Sequence, residues 1–191
     1  MNQAPPQGRE IKKLLDQGLA RTGLLRLGRS RWITDTQELR WIVEADRGPW
    51  SAWDLVVGAV VLAWREQADL GELHASDGHF VVSASQLGAI APPEAASSRF
   101  NSRESYFAMV LDGRHALCTI EERRFALNWL ADDVAAVVNR VSTLADLTAL
   151  VSTPLAASGA ITARLRRLAT PAASPGATSS RAVATERDLP A

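Results

Sequence analysis

His74 and His79 bracket Asp77 in the run His-Ala-Ser-Asp-Gly-His, which offers two imidazole nitrogens and one carboxylate to a metal ion. Such ligands must converge within about 2 Å of the ion, and no fixed-spacing ligand motif surrounds them. The simpler reading is a polar turn, Ser76-Asp77-Gly78, leading into a strand, so no metal site is expected. Cys118 is the only cysteine, with His115 three residues upstream as a conceivable base. On an extended segment those two side chains point to opposite faces. The setting Ala-Leu-Cys-Thr-Ile is apolar and suits a buried structural thiol. Asp132 and Asp133 are neighbours in a helical pattern, diverge by about 100°, and are expected on a solvated face. Lys12 and Lys13 lie side by side on the wet side of a helix, a poor place for a Schiff base. The sequence has no Gly-rich phosphate loop, nucleophile elbow or zinc-protease helix. No catalytic residue and no cofactor is therefore expected.

Two groups of residues suggest binding instead. Trp32, Trp41, Trp50, Trp53 and Trp64 lie in one third of the chain. Trp32, Trp41 and Trp64 fall in strand patterns and are expected in the core. Trp50 and Trp53 flank a turn after Gly48-Pro49, where their rings either anchor a protein partner or fold over the end of a sheet. The second group is Arg26, Arg29 and Arg31, whose spacing on an extended arm would let them track phosphates. No aromatic stacking pattern interleaves with them.

Charge is unevenly spread. The whole chain is formally neutral, but seven basic groups stand against Glu10 and Asp16 in residues 1–31. Residues 155–191 carry five arginines against Glu186 and Asp188, so the middle of the chain is acidic. Basic ends can pair with that middle or reach for a polyanion. One cysteine excludes an intrachain disulfide and any multi-cysteine zinc site. The opening residues lack the apolar run of a secretory signal. The longest apolar stretch, Leu55 to Trp64, is about half of a membrane span. A cytoplasmic location without membrane association is expected.

The elements that would position these residues follow from periodicity. Residues 1–8 read as a flexible leader. Ile11, Leu14, Leu15 and Leu19 line one face of a helix that ends near Gly23, with Gly18 as a weak point inside it. Arg31 to Thr34 and Leu39 to Ala45 read as paired strands around a turn at Asp35 to Glu38. In the second strand Leu39, Trp41, Val43 and Ala45 face inward. Asp54 to Trp64 reads as a strand buried on both faces, with Gly58 at a bulge, although a short buried helix has the same pattern. His79 to Ala84 is a fourth strand, Ser105 to Leu111 is ambiguous, and Asp112-Gly113 is a turn. Thr119 with Glu122 opens a helix by a capping box, with Phe125, Trp129, Val134, Val138 and Val141 on one side. Thr143 opens another helix, with Leu144, Leu147 and Leu150 inward. Residues 155–191, rich in Ala, Ser, Thr, Pro and Arg, read as a disordered tail.

The resulting expectation is an α+β domain over residues 9–154. An antiparallel meander of three to four strands carries an N-terminal helix and C-terminal helices on one face. Gly23-Leu24, Trp32, the strands Leu39 to Ala45 and Leu55 to Ala63, and the helix from Glu121 follow an order that resembles the uncharacterised bacterial domain-of-unknown-function 4304 family. The resemblance spans roughly residues 9–152 and implies the fold, with no site residues to carry over. That family has more aromatic residues where Leu24, Leu25 and Leu27 stand here. The function expected is non-catalytic docking of a protein partner, of an inhibitory or toxin-neutralising kind. The alternative is nucleic-acid binding through the basic N-terminal segment and tail.

Overall fold

A computed structural model describes residues 8–47, 52–65, 72–87, 102–113, 118–153 and 159–170. Its centre is a six-stranded antiparallel sheet in sequential order. The strands are β1 (Leu25–Leu27), β2 (Arg31–Asp35), β3 (Leu39–Arg47), β4 (Trp53–Val61), β5 (Phe80–Ser83) and β6 (Ala160–Ile161). Five helices accompany them: α1 (Gly8–Ala20), α2 (Arg103–Leu111), α3 (Ile120–Arg140), α4 (Leu144–Val151) and α5 (Ala163–Ala169).

Side chains alternate across the sheet as the pleat requires. Trp32 on β2, Leu39, Trp41, Val43 and Ala45 on β3, and Leu55, Val57, Ala59 and Val61 on β4 form its inner face. They pack with Ile11, Leu14, Leu15 and Leu19 of α1, and with Leu127, Leu130, Val134 and Val138 of α3. Gly18 sets the approach of the two helices. A side chain there would stand 3.2 Å from the Leu127 carbonyl, so the smallest residue lets α1 lie directly on α3. Trp41 Nε1 donates to Val141 O at 3.0 Å, pinning the sheet to the end of α3.

The outer face has its own small apolar cluster. Ile42, Val60, Leu73 and Ala75 are buried there, with Ile33 and Val56 packed against them. The cover is the short 3-10 turn Ala75–Asp77. A Cβ on Gly58 would stand 2.2 Å from the Ala75 carbonyl oxygen, so only glycine lets this turn lie on β4.

Several expectations need correction. The sheet has six strands where three or four were expected, because β1 and β6 are too short to show a period. The segment 54–64 is strand to Val61 and then a 3-10 turn, Leu62–Trp64. The ambiguous stretch before Asp112 is helix, opened by Ser102, whose Oγ accepts from Ser105 N. The region expected as a tail from residue 155 is folded between residues 159 and 170. There β6 pairs with Phe80 and Val81 of β5, and Leu165 of α5 is fully buried. Residues 171–191 lie outside the described residues.

The capping box on α3 forms as the spacing implies, Thr119 N donating to Glu122 Oε2 at 2.7 Å and Glu122 N to Thr119 Oγ1 at 3.2 Å. Of its expected inward face, Val134, Val138 and Val141 are buried and Trp129 is half-buried against the core, but the first turns differ. Phe125 is 60% exposed, whereas Arg123 is fully buried. Arg123 Nη1 donates to the carbonyls of Met109, Val110 and Asp112, satisfying the end of α2. No helix among the described residues is long and apolar enough to cross a membrane.

Candidate docking surface

The residues singled out for chemistry are dispersed or already engaged. His74 Nδ1 faces Glu44 Oε1 at 2.9 Å, and its backbone N–H donates to Asp77 Oδ2 at 2.8 Å. His79 turns away: its Nδ1 accepts from Val61 N at 2.9 Å, and its ring stands edge-on to Trp64. Burial, with the positive fields of Arg65 and Arg164, lowers the His79 pKa and keeps the ring a neutral acceptor. The two histidines thus do not converge on one centre, and no group of three ligands that could hold a metal occurs among the described residues.

Cys118 is buried with its Sγ 3.9 Å from Met109 Sδ. His115 lies outside the described residues. The expected solvated face at Asp132 and Asp133 holds only for the first. Asp132 is exposed, whereas Asp133 is buried and binds Arg103, whose guanidinium also stacks on Phe107 and Trp129. Lys12 pairs with Asp16 and donates to Arg29 O at 2.9 Å.

The tryptophan turn is partly described. Trp50 lies outside the described residues. Trp53 is half-buried at the start of β4, packs against the main core, and donates from Nε1 to Gly8 O at 2.8 Å. That bond ties the ring to the first residue of α1, which is the geometry of a cap on the sheet end. Of the three arginines, Arg26 donates to Asp16, Gly28 O and Arg29 O and sits over the Trp32 ring. Arg31 lies 3.6 Å from Glu44 and beside the His74 ring. Arg29, in the β1–β2 turn, is exposed.

The feature that sequence reading missed is β1 itself. Among the described residues it pairs with β2 alone, in the register Leu25↔Ile33, Arg26↔Trp32 and Leu27↔Arg31, and its other edge carries no strand. All three residues are exposed. Arg26 falls on the inner side opposite Trp32, so Leu25 and Leu27 both stand on the outer face. Leu25 is 69% exposed and Leu27 40%, and Leu25 adjoins the half-buried Ile33. From Ile33 the apolar row runs to Ile42 under the 3-10 turn. The available signal was Leu-Arg-Leu between Gly23 and Gly28, both of which adopt positive φ.

Other exposed large apolar side chains are Phe125 on α3 and Leu168 on α5, which stand singly. Among the described residues, only at β1 do two of them share a strand face at a sheet edge. Such an edge can pair with an added strand through N–H and C=O groups, while the side chains on one face supply an apolar contact.

No protein-family model matches the chain, and no curated protein or solved structure matches it.

Proposed function

We propose that this domain acts by docking a protein partner, which adds an extended strand to the open edge of β1. One observation carries the reading: Leu25 and Leu27 are exposed on the same face of an edge strand that has no neighbour on its far side among the described residues. Full burial of a leucine side chain is worth about 2 kcal/mol, so these two side chains supply a useful share of a moderate affinity. The added main-chain hydrogen bonds fix the direction and register of the incoming strand. Docking of this kind needs no catalytic group and suits an inhibitory partner protein. It moves the anchor from Trp50 and Trp53 to the opposite end of the β1–β4 meander, in keeping with the tether of Trp53 to Gly8.

The test is a display selection of random extended peptides on the full chain, set against the double variant Leu25→Asp/Leu27→Asp. Both positions are exposed, so the variant keeps its fold, as its melting curve will verify. Peptides that bind the native chain and lose the variant support the reading. Peptides that bind both equally, or that are lost instead on Phe125→Ser, sink it.

A further inference from the structure

We infer that the strand received at β1 is acidic: a segment with apolar residues at alternate positions and carboxylates at the end that meets the β1–β2 turn. The inference rests on the docking reading above and adds the chemistry of the partner. Residues 21–34 contain Arg21, Arg26, Arg29 and Arg31 and no carboxylate. At the turn end of the hairpin Lys12 joins them, its Nζ 2.9 Å from Arg29 O. Arg21 stands apart, 3.6 Å from Asp132, and among the described residues Asp16 and Glu44 are the carboxylates paired with the others.

Neither carboxylate neutralises them. Asp16 is shared between Lys12 and Arg26. Glu44 accepts from Ala75 N at 3.1 Å and faces His74 Nδ1 at 2.9 Å, which leaves Arg31 the longer contact of 3.6 Å. Arg31 Nε is buried and has no hydrogen-bond partner. Lys12, Arg26, Arg29 and Arg31, four cations, therefore stand against two carboxylates around the β1–β2 turn, next to the exposed Leu27 and at the end of an open strand edge. A carboxylate arriving there with its own apolar neighbours meets both features at once, whereas a basic strand is repelled. The two leucines separate this surface from a phosphate track, which needs no apolar face.

The experiment uses the full chain and synthetic peptides sharing one alternating Val-Thr core and ending in Asp-Glu, Gln-Gln or Lys-Lys. Binding is read by fluorescence anisotropy. The acidic peptide is expected to bind roughly tenfold more tightly than the Gln-Gln peptide, with the advantage shrinking as salt rises. Arg29→Gln, at an exposed turn position, should remove most of that advantage and leave the Gln-Gln peptide unaffected. Equal binding of all the peptides overturns the acidic partner and leaves the docking reading standing. Binding of none overturns both. Single-stranded DNA that binds as tightly as the acidic peptide, indifferent to Leu27→Asp, assigns the cations to nucleic acid and overturns the inference. Self-association in sedimentation that Leu25→Asp abolishes makes a second copy the occupant and overturns it as well.

Discussion

Arg103 and Asp133 meet inside the protein, Nη2 to Oδ2 at 2.5 Å, and join α2 to α3. Both side chains are almost fully buried, and the Arg103 Nε also donates to Ser85 O at 2.9 Å. A buried pair adds little net stability compared with an apolar one, but loss of one partner strands the other charge. Asp133→Ala should therefore cost about 3 kcal/mol, read as a lower urea midpoint with an unchanged slope. Asp132→Ala, one residue away on the exposed side of the helix, should stay within about 0.5 kcal/mol. Equal effects at the two positions would contradict the burial of Asp133.

Gly58→Ala is a test of how the outer face is covered. The new methyl would stand 2.2 Å from the Ala75 carbonyl oxygen and 2.9 Å from its carbonyl carbon, both backbone atoms that no rotamer can move. The turn Ala75–Asp77 must lift, uncovering Ile42 and Val60. The expected outcome is a loss of about 2 kcal/mol or more, with faster amide exchange confined first to residues 72–79. Unchanged exchange there would show that the turn does not rest on β4.

Legibility from sequence tracked the length and burial of each element. Strand β3 alternates inward and outward over enough residues to reveal its inner face, so Leu39, Trp41, Val43 and Ala45 were identifiable, whereas the unbroken apolar run of β4 left strand and buried helix open. The caps at Thr119 and Thr143 were readable because each is a local pattern whose two halves lie three residues apart. Strands β1 and β6 escaped because two or three residues carry no period, and their pairing is set by distant partners. Asp133 was misplaced, and the burial of Arg123 went unread, for one physical reason. Each is buried because it finds a partner on α2 or just beyond it, in residues 103–112, and a sequence pattern does not show which charges will be satisfied. The exposed leucine face of β1 was invisible for the converse reason: two leucines beside glycines look like core until the sheet order leaves them at an edge.

The segment after residue 155 gives a third prediction. Leu165 is fully buried, β6 extends the sheet beyond β5, and Thr162 N donates to His79 O at 2.9 Å. Truncation after Thr153 should lower the melting temperature by many degrees, and Leu165→Ala alone should cost about 2–4 kcal/mol. Truncation after Thr170 keeps both elements and should leave the transition within a few degrees of the full chain. If the shorter truncation product melts like the full chain, α5 does not hold Leu165 in the core.

Trp53 separates a capping ring from an exposed anchor. Its ring packs on the core and its Nε1 holds Gly8 O at 2.8 Å. Trp53→Phe should keep most of the packing and lose about 1 kcal/mol with the hydrogen bond, whereas Trp53→Ala should lose about 3 kcal/mol. Urea unfolding of both variants measures the difference. An alanine variant as stable as the native chain would return Trp53 to the candidates for partner contact.

The last prediction concerns acid. His79 accepts from Val61 N through Nδ1, so protonation of that nitrogen removes the acceptor and sets a positive charge in a half-buried place. Burial is the first cause that lowers its pKa below the ordinary 6.5, followed by the nearby Arg65 and Arg164. Arg164 itself lies over the Trp64 ring at 4.1 Å, so the histidine sits where α5 meets the sheet. In the unfolded chain His79 takes up its proton near pH 6.5, while in the folded protein it resists until lower pH. The unfolded state therefore binds more protons between those two values. Stability contributed by neutral His79 is complete above about pH 7 and is lost as pH falls through 6.5 toward the folded value. The melting temperature should decline over that window in the native protein. His79→Asn, whose side-chain oxygen can accept from Val61 N without titrating, should flatten the decline. If the variant loses stability with acid as steeply as the native chain, the titration belongs to another group and His79 is not the acid-sensitive contact.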